Sequence, residues 1–183
     1  FPENVVPVEK AGDVYITELF QGPTAAFKDM ALSLLPYFMT FSLKQKGEER
    51  EVMILAATSG DTGKAALEGF KDVEGTSIKV FYPIDGVSPV QKQQMVTQTG
   101  HNVDVIGIRG NFDDAQTAVK KAFNSQELKD LCEQHHVFLS SANSINIGRL
   151  IPQIVYYFYS YLTLVKNKEI ELGEEVNFTI PSG

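Results

Sequence analysis

From residue 51 onward, short apolar runs alternate with helical patterns, and this alternation constrains the fold more than any other feature of the chain. Residues 52–57 (VMILAA) are a continuous apolar run, the pattern of a strand buried on both faces. Residues 63–70 read as helix, and 78–82 (IKVFY) as a strand stopped by Pro83. Residues 89–99 read as a helix that ends at Gly100, a residue suited to the left-handed position after a helix. Residues 103–108 (VDVIGI) give a third strand. Residues 112–123 give a helix with Asp113 and Asp114 in its first turn, where the helix dipole favours acids. Residues 137–140 (VFLS) read as a fourth strand, 147–165 as a helix and 176–180 (VNFTI) as a fifth strand. Repeated strand–helix–strand units build a parallel sheet with helices on both faces. The expected fold class is therefore α/β, a three-layer α/β/α arrangement around a mainly parallel sheet.

The charge balance excludes several partners. The 183 residues carry 16 Lys and Arg against 23 Asp and Glu, a formal net charge of −7, without a basic run. Neither nucleic acid nor an anionic membrane is an expected partner. Cys132 is the only cysteine, so no intrachain disulfide or cysteine-based metal site is expected, and the cytoplasm is the expected compartment. His101, His135 and His136 lack metal-ligand spacing, and no metal is expected. The longest apolar stretch, 150–165, contains Pro152, Gln153, Ser160 and Thr163 and is shorter than the roughly 20 residues of a spanning helix. It reads as a buried helix with Pro152 in its first turn. The chain starts at Phe1-Pro2 without methionine or a signal-peptide pattern, and stops at Pro181-Ser182-Gly183 directly after an expected strand. Both ends read as cut.

In an open parallel sheet, ligands bind at the carboxyl ends of the strands, here in loops 58–63, 84–89, 109–111 and 141–147. Loop 58–63 (TSGDTG) offers backbone N–H groups and small hydroxyls at a helix N-terminus, which is an anion site. The alternative is a turn in which Ser59 or Asp61 caps its own helix. A nucleotide P-loop does not match, because only Asp61 and Thr62 separate Gly60 from Gly63 and Lys64 is followed by Ala65. Residues 107–110 (GIRG) lack the dinucleotide-binding spacing. Loop 141–149 (SANSINIGR) gathers serines and asparagines before Arg149, whose planar fork suits a phosphate. The alternative is a polar helix cap with Arg149 on a solvated face. In 22–29 (GPTAAFKD), Lys28 has Ala25, Ala26, Phe27 and Met30 as neighbours. A lysine in a site that excludes water loses its proton more easily, and its neutral amine can form a Schiff base. The alternative is a first-turn lysine whose stem packs on the helix while its head reaches water.

Four stretches in this order, GPTAAFKD at 22–29, TSGDTG at 58–63, SPVQ at 88–91 and SANSIN at 141–146, resemble the threonine synthases. The resemblance runs from about Gly12 to Gly183. It implies the pyridoxal-phosphate-dependent fold type II, and conversion of O-phosphohomoserine and water to threonine and phosphate. It implies that Lys28 carries the pyridoxal 5'-phosphate, with Phe27, Asp61, Ser182 and Gly183 beside it. Thr58, Ser59, Gly60 and Thr62 would hold the substrate carboxylate. Asn143, Ser144 and Arg149, joined by Lys64, would hold the substrate phosphate. Residues 1–183 would be one truncated catalytic region, with about 40–140 as a smaller mobile lobe. The family's cofactor-phosphate loop begins Pro-Ser-Gly and continues further, so this piece by itself is expected to lack activity. Two other readings stand beside this one. The first is a phospho-lyase that releases a keto acid from the same substrate. The second is a non-catalytic doubly wound binding domain. The oligomeric state is not legible.

Overall fold

The computed structural model describes residues 5–143 and 146–180. Three candidate site residues, Ser144, Ser182 and Gly183, lie outside the described residues. The core is a four-stranded sheet in the order β5-β4-β3-β6, from β3 (Glu51–Ala57), β4 (Thr76–Pro83), β5 (Val103–Ile108) and β6 (Val137–Ser140). All three pairings are parallel. The strictly alternating side chains of β3 explain why the run reads as apolar throughout. Val52, Ile54 and Ala56 join Ile78, Val80 and Tyr82 under α1 (Asp29–Gln45), α2 (Asp61–Phe70) and α3 (Pro89–Val96). Leu55 and Ala57 face the opposite way, with Met53, Phe81 and Leu139, against α4 (Phe112–Asn124). The three-layer α/β/α architecture follows from these two cores.

A close approach joins α1 to α2. Pro36 inside α1 has no N–H, so the Leu32 carbonyl four residues back lacks its helical donor. Gly69 of α2 packs onto that carbonyl, and a Cβ there would lie 2.1 Å from the Leu32 oxygen. The lack of a side chain at 69 brings the two helices into contact behind the segment that carries Lys28.

The structure corrects several expectations. A hairpin of β1 (Val8–Ala11) and β2 (Val14–Thr17) was not expected from the sequence; it docks on α6 (Ile147–Lys166) through Thr17 and Ser160, whose hydroxyl oxygens are 2.9 Å apart. Helix α3 stops at Val96, short of 99: Thr97 is its C-cap, the Gln98 N–H turns back to the Met95 carbonyl three residues before it, and the Gln98 side chain ties the chain to Glu68. A helix α5 (Gln126–Gln134) fills a stretch left unassigned, with Ser125 ending α4 and capping α5 at once. Residues 176–180 are not a strand; they lie against α6, where the Phe178 ring meets Tyr157 edge-on at 5.0 Å.

Helix α6 departs furthest from expectation. Pro152 sits in its second turn, not its first. The face it buries carries Arg149, Pro152, Tyr156 and Ser160, whereas Ile151, Ile154, Phe158 and Leu162 are exposed. The spacing of three to four residues between the buried positions is that of one helical stripe. This stripe delivers polar groups to the interior.

Candidate active site

The site forms where the carboxyl ends of β3 and β6 meet the head of α1 and the first turn of α6. Lys28 is the residue before α1, half-buried, with its Nζ 4.1 Å from the centroid of the Phe27 ring. Ala26 is buried, but Ala25 is exposed and Phe27 is 42 % exposed, so the expected apolar wall is only partly built from these neighbours. Burial still pushes the Lys28 ammonium below the ordinary lysine value. The charge of Asp61 opposes this, and those of Arg149 and Lys64 add to it. Among the described residues, no carboxylate lies in ion-pair distance of Lys28.

The segment that carries Lys28 is built around a buried carboxylate. Asp29, 2 % exposed, accepts from the backbone N–H of Thr24 at 2.9 Å, the hydroxyl of Thr24 and the backbone N–H of Ala26. From the other side, the Tyr156 hydroxyl donates to the Phe27 carbonyl. These clamps hold the backbone on each side of the lysine, and neither was legible in the sequence. The one available signal was an acid placed directly after Lys28.

In loop 58–63, the Thr58 hydroxyl oxygen is buried and accepts from the backbone N–H of Gly60 at 3.0 Å and of Gly63 at 2.8 Å. Gly60 is the N-cap of α2, and neither Ser59 nor Asp61 caps the helix. Ser59 is exposed and Thr62 half-buried, and neither hydroxyl has a partner among the described residues. Asp61 pairs with Lys64 at 3.3 Å and accepts from the Gln91 side chain at 2.8 Å. Burial works against its charged form, but the hydrogen bonds of Gln91 and Lys64, with the charges of Lys64 and Lys28, hold its carboxyl below the usual range. Lys64 is only 8 % exposed.

Asn143 ties the ends of β6 and β3 together, donating to the Ala57 carbonyl at 3.2 Å. Asn146 caps α6, accepting from Gly148 N–H at 3.0 Å and donating to the Ser141 carbonyl at 2.9 Å. Arg149 is 9 % exposed, so the solvated-face alternative does not hold. Its Nη1 donates to the Ala142 carbonyl at 3.2 Å, while its Nε is buried without a partner among the described residues. A buried guanidinium with an unused donor is costly unless a further acceptor completes it. Loop 109–111 contributes nothing to this cluster, because β5 is at the sheet edge, two strands from β3. Gln91, whose motif was noted without a role, does contribute. No described helix is long and apolar enough to cross a membrane, and no described cluster has a metal-ligating composition.

The fold and the site define a class: an open parallel α/β unit of fold type II, presenting a desolvated lysine among cationic side chains. Over nearly its whole length the chain is similar to threonine synthases. It is 42 % identical to threonine synthase of Pseudomonas aeruginosa, over 99 % of this chain and 36 % of that protein. It is 41 % identical to mouse threonine synthase-like 1, over 98 % of this chain and 25 % of that protein. Pyridoxal-phosphate-bound threonine synthase from Brucella melitensis superposes with a TM-score of 0.76 at 44 % identity, over 87 % of this chain and 33 % of that one. The chain thus spans a quarter to about a third of the length of these proteins. No protein-family model matches it.

Proposed function

We propose that this chain carries the lysine-bearing part of a threonine synthase, which uses pyridoxal phosphate to convert O-phosphohomoserine and water to threonine and phosphate. The observation that carries the reading is the convergence of half-buried Lys28 with buried Arg149, whose Nε has no partner among the described residues. These residues fit an anionic aldehyde cofactor and a phosphorylated substrate: a half-buried amine, its pKa lowered by burial, for the aldehyde, and a buried donor for a phosphate oxygen. When bound, pyridoxal phosphate supplies an electron sink for carbanions at the substrate carbons.

The chain's own residues supply the rest. Lys28 holds the cofactor at rest and, once released, moves protons at Cα, Cβ and Cγ of the substrate as general base and acid. Phe27 lies along its amine, and Asp61 sets the local charge. Ser59 and Thr62, with loop amides that Thr58 and Gly60 shape, hold the substrate carboxylate. Arg149, with Asn143 and Lys64, holds the substrate phosphate. Residues of about 40–140 form a lobe that closes on substrate to exclude water from the reacting carbons until hydration. The lone cysteine, Cys132, supports a cytoplasmic protein.

A second reading keeps the same residues, cofactor and substrate but releases a keto acid in place of threonine. The test uses the whole protein. Borohydride reduction with pyridoxal phosphate should place the label on Lys28, and Lys28→Ala should lose it. O-phosphohomoserine should then yield threonine and phosphate. A label on Lys64 overturns the lysine assignment, and a keto acid in place of threonine selects the second reading.

A further inference from the structure

Residues 88–91 form a sequence motif for which the reaction gives no role, yet they reach into the site. Gln91 is in the first turn of α3, in a reciprocal cap with Ser88: the Ser88 hydroxyl accepts from Gln91 N–H at 3.2 Å, and Gln91 Oε1 accepts from Ser88 N–H at 3.3 Å. With its oxygen engaged, the amide turns its Nε2 to Asp61 Oδ1, 2.8 Å away. Lys64 Nζ approaches the same oxygen at 3.3 Å. Gly60 makes room for this arrangement. Its φ is +144°, and a Cβ there would lie 2.3 Å from Gln91 Oε1. The cap alone would be served by glutamate as well as glutamine. Only glutamine also donates to a carboxylate.

We propose that Gln91 is a positioning residue: its side-chain amide holds the Asp61 carboxylate on Lys64, so that Asp61 acts on Lys28 only at a distance and forms no direct ion pair with it. The inference rests on Lys28 being the reactive amine. The charged groups that act on Lys28 are Asp61 and Lys64 from α2 and Arg149 from α6. Two of the three are cations, and the single anion, whose charge opposes theirs, is hydrogen-bonded to Gln91 and paired with Lys64, outside ion-pair distance of Lys28. The amine therefore has no close counter-ion to hold its proton. The motifs at 58–63 and 88–91 work as one device across the two helix heads.

The test is competitive acetylation of the full chain across the pH range, with the midpoint for Lys28 read by peptide mass spectrometry and without cofactor. In Gln91→Met, Asp61 is freed to turn toward Lys28, and the midpoint should rise by about one pH unit, the low end for an opposite charge brought within 4–6 Å. Ser88→Ala weakens the cap but spares the Asp61 contact; it should lower the melting temperature and leave the midpoint unchanged. Should Gln91→Met fail to fold, Gln91→Asn keeps an amide one methylene too short for Asp61 and should give the same rise. An unchanged Lys28 midpoint in whichever of the two Gln91 variants folds, or a rise of equal size in Ser88→Ala, overturns the proposal. Because no cofactor or turnover enters the readout, its failure is distinct from failure of the threonine synthase reading, which would show as absent cofactor labelling at Lys28.

Discussion

The hydroxyl of Tyr156, midway along α6, donates to the backbone carbonyl of Phe27, the residue before Lys28. Burial pushes the Tyr156 phenol up from its ordinary value, and the nearby charge of Asp29 adds to this, so the group stays a donor throughout the working range. One helix thus supplies both Arg149 and the clamp on the lysine segment. Tyr156→Phe keeps the ring and removes only the donor. The lost bond with its unsatisfied partner costs about 1–2 kcal/mol. Denaturant unfolding should show that loss, and pyridoxal phosphate should dissociate faster from the whole protein. Wild-type stability together with wild-type cofactor retention would show that the contact holds nothing in place.

Asp29 holds the other flank. Its carboxylate receives three donors from Thr24 and Ala26 while nearly fully buried. Asp29→Ala removes the acceptor of all three donors and leaves the buried N–H groups of Thr24 and Ala26 unpaired. The expected cost is about 2–3 kcal/mol, in the range of hydrogen bonds to charged groups. Thermal melts would report it. Thr24→Val should destabilise less, since it removes one of the three donors, and the double variant should cost less than the sum, as for residues within one network.

Lys28 gives the pH dependence. Its folded-state value is lowered by burial from the ordinary 10.5. Between those two values the unfolded chain binds the proton and the folded chain does not. Stability from this group therefore rises with pH through that window, and below it the folded chain carries the full cost of the buried charge. The same sign governs reactivity. The rate of pyridoxal phosphate addition at Lys28 should climb with pH to a half-maximum below 10.5. A half-maximum at or above 10.5 would contradict the desolvation argument.

β3 was legible because its continuous apolar run is buried on both faces and needs no register to be recognised, while β4, β5 and β6 were placed by their regular alternation with helices. The hairpin β1–β2 was not, since its strands are four residues long and mostly exposed, so no periodicity could form. Residues 176–180 have the composition of a strand, but composition cannot name a pairing partner. The site divides in the same way. Lys28, Asp61 and Arg149 were read from local motifs and meet in space. Tyr156 and Gln91 act on them from 129 and 30 residues away, across contacts that no local pattern encodes. On α6 the polar residues face inward, so a reading that equates apolar with buried inverts that helix.

Arg149 separates phosphate binding from cofactor binding. Its Nη1 is committed to the Ala142 carbonyl, its Nε is buried without a partner among the described residues, and burial pushes its guanidinium below the ordinary arginine value. An incoming phosphate dianion would meet a donor already stripped of water, where a charge-assisted bond is strong. Arg149→Lys keeps the charge but loses the planar fork, and one ammonium cannot serve both the carbonyl and the phosphate in the same geometry. The expected loss is about 1.5–3 kcal/mol, roughly tenfold to a hundredfold in affinity for O-phosphohomoserine. Added inorganic phosphate should lose competitive strength by a similar factor, since it would occupy the same donor. The absorption of the bound cofactor should not change, because the arginine acts on the substrate end. Steady-state kinetics with phosphate inhibition decide the matter: unchanged kcat/KM and an unchanged phosphate inhibition constant in Arg149→Lys would move the phosphate site away from α6.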